Sequence, residues 1–226
     1  MNTIVYIDGY NLFYGRLQNT SFKWLDIFKL FQSIAKVQDP SSNIIQIKYF
    51  TAPVRANFAS HGRDSVTAQN TYHRALNQVY QQQIEIISGY HTVEKGTPPR
   101  YSKPIDKDNR VEIWKFEEKQ TDVNIALAMY RDAMHKSCEQ QILVSNDSDL
   151  VPALKLINSD VQDIKLGLII PRKKPESGQK VRPPNKSLSD IVDWTRSYIL
   201  DEECRNSQLA DKIPTNKKPI LKPGYW

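Results

Sequence analysis

Four aspartates stand where predicted strands end, and carboxylates at such positions can do chemistry. Asp8 closes the first apolar run of the chain, and Asp147 and Asp149 follow a second buried run. Asp122 lies where a further predicted strand passes into a helix. Because ligands of open parallel sheets bind beyond the carboxyl ends of the strands, we expect these side chains to meet in one pocket.

The chemistry predicted for such a pocket is metal-assisted hydrolysis. Several carboxylates within a few ångströms repel one another, and some of them take up protons unless a cation is present. Mg²⁺ prefers oxygen ligands and usually keeps several of its waters. A cation held here would bind a phosphate oxygen and lower the pKa of a water molecule for in-line attack. The number of metal ions does not follow from the sequence.

Each acidic residue also has a structural explanation that the sequence leaves open. Asp8 is compatible with a turn, because a glycine follows it. Asp149 is well placed to cap the next helix, and Asp122 lies in a first helical turn, which favours negative charge. Asp147 has the weakest structural explanation, since Asp149 can provide the cap. Glu118 is interpreted as a solvated strand end.

The elements that must position these residues alternate between strands and helices. Strands are predicted at residues 3–7, 44–52, 84–90, 111–118, 141–145 and 164–170, the last of these as the final core strand. Helices are predicted at residues 11–17, 24–34, 66–82, 122–135 and 149–158. Residues 91–110 contain three prolines and are predicted to form an exposed loop. This alternation predicts an α/β fold with an open, mainly parallel sheet and helices on both faces.

The composition excludes several classes of protein. The 226 residues carry a formal net charge of +6, and no apolar stretch approaches the ~20 residues that a membrane-spanning helix needs. No basic segment precedes the short apolar run at the N-terminus, so we expect neither a signal peptide nor a membrane partner. Cys138 and Cys204 rule out a disulfide scaffold and indicate free thiols in a reducing cytoplasm.

Three motifs and the C-terminal ending carry a family resemblance. They are IVYIDGYNLFYG at residues 4–15, EEKQTDVNIALAM at 117–129, ILVSNDSDLVPAL at 142–154 and SQLADKI…KPGYW at 207–226. With them the chain resembles the NYN family, in the LabA-like branch of the PIN-like nucleases. The family more often has a small pair such as Gly-Val before the acid of the middle motif, where this chain has Gln120 and Thr121.

The resemblance implies a PIN-like fold and Mg²⁺- or Mn²⁺-dependent cleavage of RNA. The four aspartates named above are similar to the metal-binding acids of the family. Asn11 is similar to the asparagine that orients a metal-bound water or a phosphate, and Ser145 is similar to a polar residue that assists at the metal site. Without the family, a helix cap or an Asx turn explains Asn11 equally well.

A basic stretch after the last predicted core strand is the candidate surface for a nucleic acid. Its basic residues are Arg172, Lys173, Lys174, Lys180, Arg182 and Lys186. Each of them is suited to contact phosphate, and a solvated loop is the structural alternative. Tyr10 is a candidate to stack on an unpaired base, with packing at the rim of the core as its alternative. The four histidines show no ligand spacing and are assigned no role.

The expected function is that of a ribonuclease acting on single-stranded or unpaired RNA. Residues 1–200 are predicted to form the nuclease domain, and residues 201–226 a basic extension that packs on it or trails from it. One alternative is a regulatory module that binds RNA without cutting it. Another is a Toprim-like DNA-processing domain, although its first strand would normally end in glutamate rather than Asp8. Whether the chain forms a homo-oligomer is open.

Overall fold

A six-stranded parallel sheet forms the centre of the protein in a computed structural model, which describes residues 1–176 and 185–226. The strands are β1 (Asn2–Asp8), β2 (Asn43–Thr51), β3 (Ile84–Ser88), β4 (Tyr90–Gly96), β5 (Ile113–Lys119), β6 (Gln140–Val144), β7 (Lys165–Ile169), β8 (Trp194–Arg196), β9 (Lys212–Ile213) and β10 (Ile220–Leu221). The helices are α1 (Gly9–Leu12), α2 (Ile27–Gln38), α3 (Arg63–Tyr80), α4 (Thr121–Met134), α5 (Val151–Asp160), α6 (Lys186–Ser189) and α7 (Asp201–Asn206). A π-helical turn, Phe13–Leu17, follows α1, and a 3₁₀ turn, Ser148–Leu150, precedes α5.

The strand order places β1 and β6 at the middle of the sheet. The order is β3-β2-β1-β6-β7-β8, so the sheet first grows to one side of β1 and later continues on the other. The neighbouring strands are parallel throughout. The carboxyl ends of β1 and β6 therefore lie side by side at the switch in strand order, which is where such sheets bind ligands.

Continuous burial explains why β1 and β6 are central. Six of the seven residues of β1 and all five of β6 are buried, as expected for parallel strands covered on both faces. Side chains of β1 alternate between two apolar cores. Val5 and Ile7 belong to the core under α2 and α3, and Ile4 and Tyr6 to the core under α4 and α5. The predicted α/β fold with helices on both faces is confirmed.

A buried ion pair fixes α4 over the sheet. The Lys48 ammonium of β2 lies 2.5 Å from the Asp132 carboxylate of α4, and the Tyr6 hydroxyl donates to the same carboxylate at 2.7 Å. Both charged side chains are buried, and each compensates a charge that would be costly to bury alone. This contact sets the position of α4 and of the acid in its first turn.

Two secondary-structure predictions are wrong. The expected loop at residues 91–110 contains most of β4, which pairs antiparallel with β5 in a separate two-stranded sheet. The three prolines that suggested a loop all lie beyond β4. The strand predicted at 164–170 is not the last of the sheet, because β8 adds to its edge. The three residues of β8 are too few to show a period, and Gly167 makes room for Trp194, whose ring lies 2.2 Å from where a Cβ would be.

Residues 201–226 pack against α2 and α3. The backbone N–H of Leu209 donates to the Trp24 carbonyl, and the Trp24 indole donates to the Ala210 carbonyl. Ile213 on β9 and Ile220 on β10 are buried in the core on that side of the sheet. The position of the domain boundary stays a prediction. Within the described part of the chain, no helix is long and apolar enough to cross a membrane.

Candidate active site

Asp8 ends β1 as a buried carboxylate whose two oxygens are both engaged. Its Oδ1 accepts the backbone N–H of Asn11 at 2.9 Å and so caps α1. Its Oδ2 accepts the Asn11 side-chain amide at 2.6 Å and the Ser145 hydroxyl at 3.0 Å. Burial raises the pKa of Asp8, and these hydrogen bonds oppose the rise. Gly9 is required next to it, because a Cβ there would lie 2.6 Å from the Phe50 carbonyl oxygen.

The turn after β6 carries Asp147 and Asp149, and Ser145 links this turn to Asp8. The Ser145 hydroxyl, which donates to Asp8, also accepts the Asp147 backbone N–H at 3.1 Å. The Asp147 carboxylate accepts the Asp149 backbone N–H at 2.9 Å and caps the 3₁₀ turn. The expectation that Asp149 caps the helix is therefore wrong, and Asp147 has the structural role. The cause is the 3₁₀ turn, which starts the helical segment earlier than the apolar pattern indicates.

Asn146 is a residue of the site that the sequence did not single out. Its backbone N–H donates to the Asn11 side-chain oxygen at 3.2 Å, and its own side-chain oxygen accepts the Asn185 backbone N–H at 2.9 Å. It thereby ties the turn after β6 to α1 on one side and to the start of α6 on the other. The signal that could have identified Asn146 is its place inside the Ser-x-Asp-Ser-Asp turn.

Asp122, in the first turn of α4, faces the same group of acids. Its pKa is raised to about 6, first by burial and then by the charges of Asp8, Asp147 and Asp149. Acids from three separate segments thus act on one another, as the positions of the strand ends predicted. α4 starts directly after β5, which belongs to the two-stranded sheet, so the hairpin rather than the main sheet delivers this acid.

Glu118 also belongs to the site, and its interpretation as a solvated strand end is wrong. It lies opposite His91 in the β4–β5 pair and is half-buried. Its pKa is raised to about 7, mainly by burial and also by the charges of Asp8 and Asp122, while a hydrogen bond from the Thr121 hydroxyl opposes the rise. The sequence could not reveal this, because the burial of Glu118 depends on a hairpin that was predicted as a loop.

The donor set fits a hard divalent cation held loosely. Every polar side chain of the group offers oxygen, the ligand atom that Mg²⁺ and Mn²⁺ prefer. Across residues 1–176 and 185–226, no three acidic, histidine or cysteine side chains are grouped tightly enough to enclose a metal ion. The described acids raise one another's pKa values. Mg²⁺ often takes only one or two protein carboxylates and keeps several waters, so the ion would need only part of this group.

The predicted phosphate-binding residues lie in different environments. Arg172 borders a pocket of about 370 Å³ beside Asn11, and its Nε donates to the Ser197 carbonyl at 2.7 Å. Lys173 instead lies 3.5 Å from Glu176, and Lys174 sits over the Tyr198 ring. Lys180 and Arg182 lie outside the described residues. Lys186 begins α6. Contact of these residues with a nucleic acid stays a prediction.

Tyr10 stands between this pocket and a larger one. Its hydroxyl is 2.8 Å from the His91 Nε2, and its ring packs on Tyr14 and on the His91 ring. Burial raises its pKa, with a further contribution from the Glu118 charge. The half-buried ring borders both pockets, and base stacking by Tyr10 stays a prediction. His91, to which the sequence assigned no role, holds this side chain in place.

The larger pocket has a volume of about 510 Å³, and ten of its 22 lining residues carry aromatic rings. It begins at Gly9, directly after the site acid of β1, and extends towards α3 and the C-terminal residues. Its aromatic residues are Tyr10, Phe13, Tyr14, Tyr49, Phe58, His61, Tyr72, His73, Tyr225 and Trp226. This pocket could not be predicted from the sequence, because its walls come from five separate segments.

Two known proteins are similar to this chain over most of its length. The 6-hydroxy-3-succinoylpyridine 3-monooxygenase HspA of Pseudomonas putida (strain DSM 28022 / S16) is 36% identical over 243 residues, covering 100% of this chain and 75% of the relative. The crystal structure of a Vibrio parahaemolyticus RIMD 2210633 protein of unknown function matches with a TM-score of 0.51 and 16% identity. That match covers 92% of this chain and 96% of the other. At this identity the likeness concerns the fold alone.

The family comparison agrees with the motifs. The NYN domain matches residues 2–177, a range that contains the four aspartates and the main sheet as far as β7. A parallel sheet flanked by helices on both faces is the PIN-like architecture expected of such a domain. The match ends before β8 and the C-terminal residues. This chain belongs to the NYN domain family, which has a nuclease-like fold.

Proposed function

We propose that this protein is a metal-dependent ribonuclease that hydrolyses phosphodiester bonds in single-stranded or unpaired RNA. The observation that carries the proposal is the link from Asp8 at the end of β1 through the Ser145 hydroxyl to Asp147 after β6, which brings acids of two central strands together. Burial and the charges of Asp8, Asp147 and Asp149 also raise the pKa of Asp122. A divalent cation relieves repulsion of this kind. Membership of a family with a nuclease-like fold supports the same function.

The acids that would hold Mg²⁺ or Mn²⁺ are Asp8, Asp122 and Asp147, directly or through water. Asp149 lies at the exposed side of the group and suits a contact through water. When bound, the ion supplies neutralising charge for the phosphate and a water of lowered pKa. The hydrogen bonds on Asp8 hold its carboxylate in one orientation, so this acid needs no rearrangement to act as a ligand.

Asn11 and Ser145 act by positioning the acids. The Asn11 side chain is used on Asp8 and on the backbone of Asn146. The Ser145 hydroxyl joins Asp8 to the backbone of Asp147. Because their polar atoms already have these partners, both residues orient the site instead of reaching the phosphate themselves.

Arg172 is the basic residue best placed to meet a substrate. The pocket of about 370 Å³ that it borders also includes Asn11 and Asn146, next to the acids. A guanidinium matches the geometry of phosphate oxygens and stays charged at any working pH. Lys173 and Lys174 are not among the residues that border this pocket and would contribute mainly to long-range attraction of an anionic chain.

A second candidate function is an oxygenase reaction on a small heteroaromatic acid. It is favoured by the Pseudomonas putida relative, which is named as a pyridine monooxygenase and matches this chain over its whole length. The aromatic pocket of about 510 Å³ has a suitable size for such a ring. A monooxygenase needs O₂ and a two-electron reductant. Hydrolysis of a phosphodiester instead needs a divalent cation, which the group of acids is suited to hold. We therefore prefer the ribonuclease.

The test compares cleavage of labelled single-stranded RNA and DNA in Mg²⁺, Mn²⁺ or EDTA. Asp147→Asn is the informative variant, because asparagine can still cap the turn but cannot supply a charge. Asp163→Asn changes an exposed acid outside the site and is the matched control. We expect metal-dependent cleavage of RNA that Asp147→Asn reduces by about 100-fold or more and that Asp163→Asn leaves unchanged.

Other outcomes would redirect the proposal. Equal cleavage by the Asp147→Asn protein would mean a contaminating nuclease or a different site. Tight RNA binding without cleavage in any metal would favour the binding module. Consumption of O₂ with NADH and a hydroxypyridine carboxylate, without cleavage of RNA, would establish the second candidate in its place.

A further inference from the structure

We propose that the aromatic pocket beside the acids is a binding site for a planar nitrogen heteroaromatic ring that carries an anionic group. Such a ligand is either the base of a nucleotide or a free heterocyclic acid, and the two share the same recognition chemistry. The proposal concerns binding and does not depend on whether the acids hydrolyse RNA.

The walls of the pocket are suited to a flat ring. Several aromatic side chains line its volume of about 510 Å³, and stacking on such faces is the common way in which proteins hold unpaired bases. Three of them are exposed although they are large, with Tyr14 57%, Phe58 43% and Tyr225 37% accessible. Exposed aromatics clustered at the rim of one cavity indicate a surface that a ligand covers.

His73 provides a polar contact inside the pocket. Its ring lies against Tyr49 and Tyr72, and burial lowers its pKa to about 4. It is therefore neutral at physiological pH, with one nitrogen as donor and the other as acceptor. Among the residues that the structure describes, neither nitrogen has a hydrogen-bond partner. A neutral imidazole with both positions free matches a ring nitrogen and an exocyclic group of a heterocycle.

Lys23 is the residue of the pocket that would bind the anionic group of the ligand. It lines the pocket, is half-buried, and forms no ion pair with any of the described residues. The described lining also includes no acidic side chain, although aspartates and a glutamate gather just beyond Gly9. A lone ammonium at the edge of an aromatic pocket favours a ligand with a carboxylate or phosphate attached to its ring system.

The C-terminal residues complete the pocket and hold it open. The Tyr225 hydroxyl donates to the Asp64 carbonyl at 3.0 Å, and its ring stacks on His61 at 4.6 Å. The Trp226 ring packs on Trp24 and Tyr72. Because these contacts fix the wall before any ligand arrives, little ordering is left for binding to impose.

The pocket opens next to the acids, so a ring bound in it would lie close to them. Gly9 and Tyr10 line it directly after Asp8. The Tyr49 hydroxyl, in the wall of the pocket, lies 2.9 Å from where a Cβ of Gly9 would be, and Gly9 directly follows Asp8. A ring held here therefore sits beside the reacting groups rather than at a remote site.

The experiment measures binding to the metal-free protein in EDTA. AMP, UMP and nicotinate are titrated separately, with quenching of tryptophan fluorescence as the signal and calorimetry as the check. Tyr14→Ala and Tyr225→Ala remove two rings of the rim, Lys23→Gln removes the charge, and Tyr101→Ala removes an exposed ring outside the pocket as the matched control. Circular dichroism and thermal unfolding verify that each variant is folded.

We expect at least one of the ligands to bind, with each rim variant weakening it about tenfold and Tyr101→Ala leaving it unchanged. Lys23→Gln should weaken AMP and nicotinate but not adenosine and nicotinamide, which lack the anionic group. Binding of nucleotides alone identifies a base as the ligand, and binding of nicotinate alone identifies a free acid. Binding is measured in EDTA and cleavage in the presence of a metal ion, so this proposal and the catalytic proposal can fail independently. No binding at millimolar ligand, or binding that the pocket variants leave unchanged, would overturn the proposal.

Discussion

One hydroxyl group joins two acids of the site. The Ser145 Oγ donates to the Asp8 carboxylate at 3.0 Å and accepts the Asp147 backbone N–H at 3.1 Å. The side chain is fully buried, so both partners depend on it. A residue that the family resemblance marked only as a helper is thus the link between β1 and the turn after β6.

We expect Ser145→Ala to lower the free energy of unfolding by about 1–3 kcal/mol, because a buried donor and a buried acceptor lose their partner. Urea unfolding followed by circular dichroism measures the change. Ser159→Ala, which removes an exposed hydroxyl with hydrogen bonds of its own, should cost less than about 0.5 kcal/mol. Equal losses in the two variants would contradict the linking role of Ser145.

The acids themselves should make the metal-free protein less stable as the pH rises. Burial and neighbouring charges raise the pKa of Asp122 to about 6 and that of Glu118 to about 7, above the unfolded values of about 4. The folded state therefore binds more protons than the unfolded state in this range. Stability that is fully present below about pH 4 is lost as the pH rises through the folded pKa values.

Thermal unfolding in EDTA at pH 5 and pH 8 measures this effect. We expect a loss of roughly 1 kcal/mol at the higher pH, limited by solvent screening of half-buried groups, and a smaller loss in Asp122→Asn. Mn²⁺ should raise the melting temperature of the wild type at pH 8 and raise that of Asp122→Asn much less. An equal effect of Mn²⁺ on both proteins would argue against a metal at this group.

At the scale of elements, the turn from β5 into α4 is strained. Gln120 precedes α4 with a φ of 75°, in the left-handed region that glycine tolerates best. The pair that the family more often has at this point begins with a small residue such as glycine. In this chain the backbone of Gln120 is therefore strained, at the junction that positions Asp122 in the site.

Gln120→Gly should relieve the strain and raise the free energy of unfolding by about 0.5–1 kcal/mol. Chemical denaturation tests this. Gln82→Gly is the control, because the 3₁₀ turn that contains Gln82 gives it no positive φ, so glycine there should bring no gain. If the two variants behave alike, the backbone of Gln120 is not under strain.

At the scale of the whole molecule, the C-terminal residues are part of the core. Ile220 is 4% exposed, whereas its neighbour Leu221 on the same strand is 58% exposed. Ile220 packs in the core cluster that also holds Trp24 and Ile213. The NYN match ends at residue 177, so this packing lies outside the part of the chain that identifies the family.

The two neighbours on β10 offer a matched comparison. Ile220→Ala should lower the free energy of unfolding by about 2–4 kcal/mol, because it leaves a cavity in the core. Leu221→Ala should change it by less than about 0.5 kcal/mol. Guanidinium unfolding measures both. A small effect of Ile220→Ala would mean that the tail trails from the domain instead of completing it.

Much of the site was predictable because it is encoded in short segments. The positions of Asp8 and Asp147 follow from buried runs that end in acids, and parallel strands bring such ends to one edge. Glu118 was misjudged because its surroundings come from a hairpin whose partner strand looked like a loop. Asp149 was misjudged because a 3₁₀ turn moved the cap to Asp147 by two residues.

The amino-acid sequence is sufficient to predict five of the six strands of the main sheet, the helices that cover it and the acids at the strand ends. These features depend on local patterns of apolar residues, which can be recognised without knowledge of the tertiary structure. Only the tertiary structure decided that Glu118 joins the acids and that Tyr49, Tyr72 and Trp226 enclose a pocket beside them. The reason is physical, because burial and cavity walls depend on side chains far apart in the chain, and packing rather than local propensity selects those neighbours.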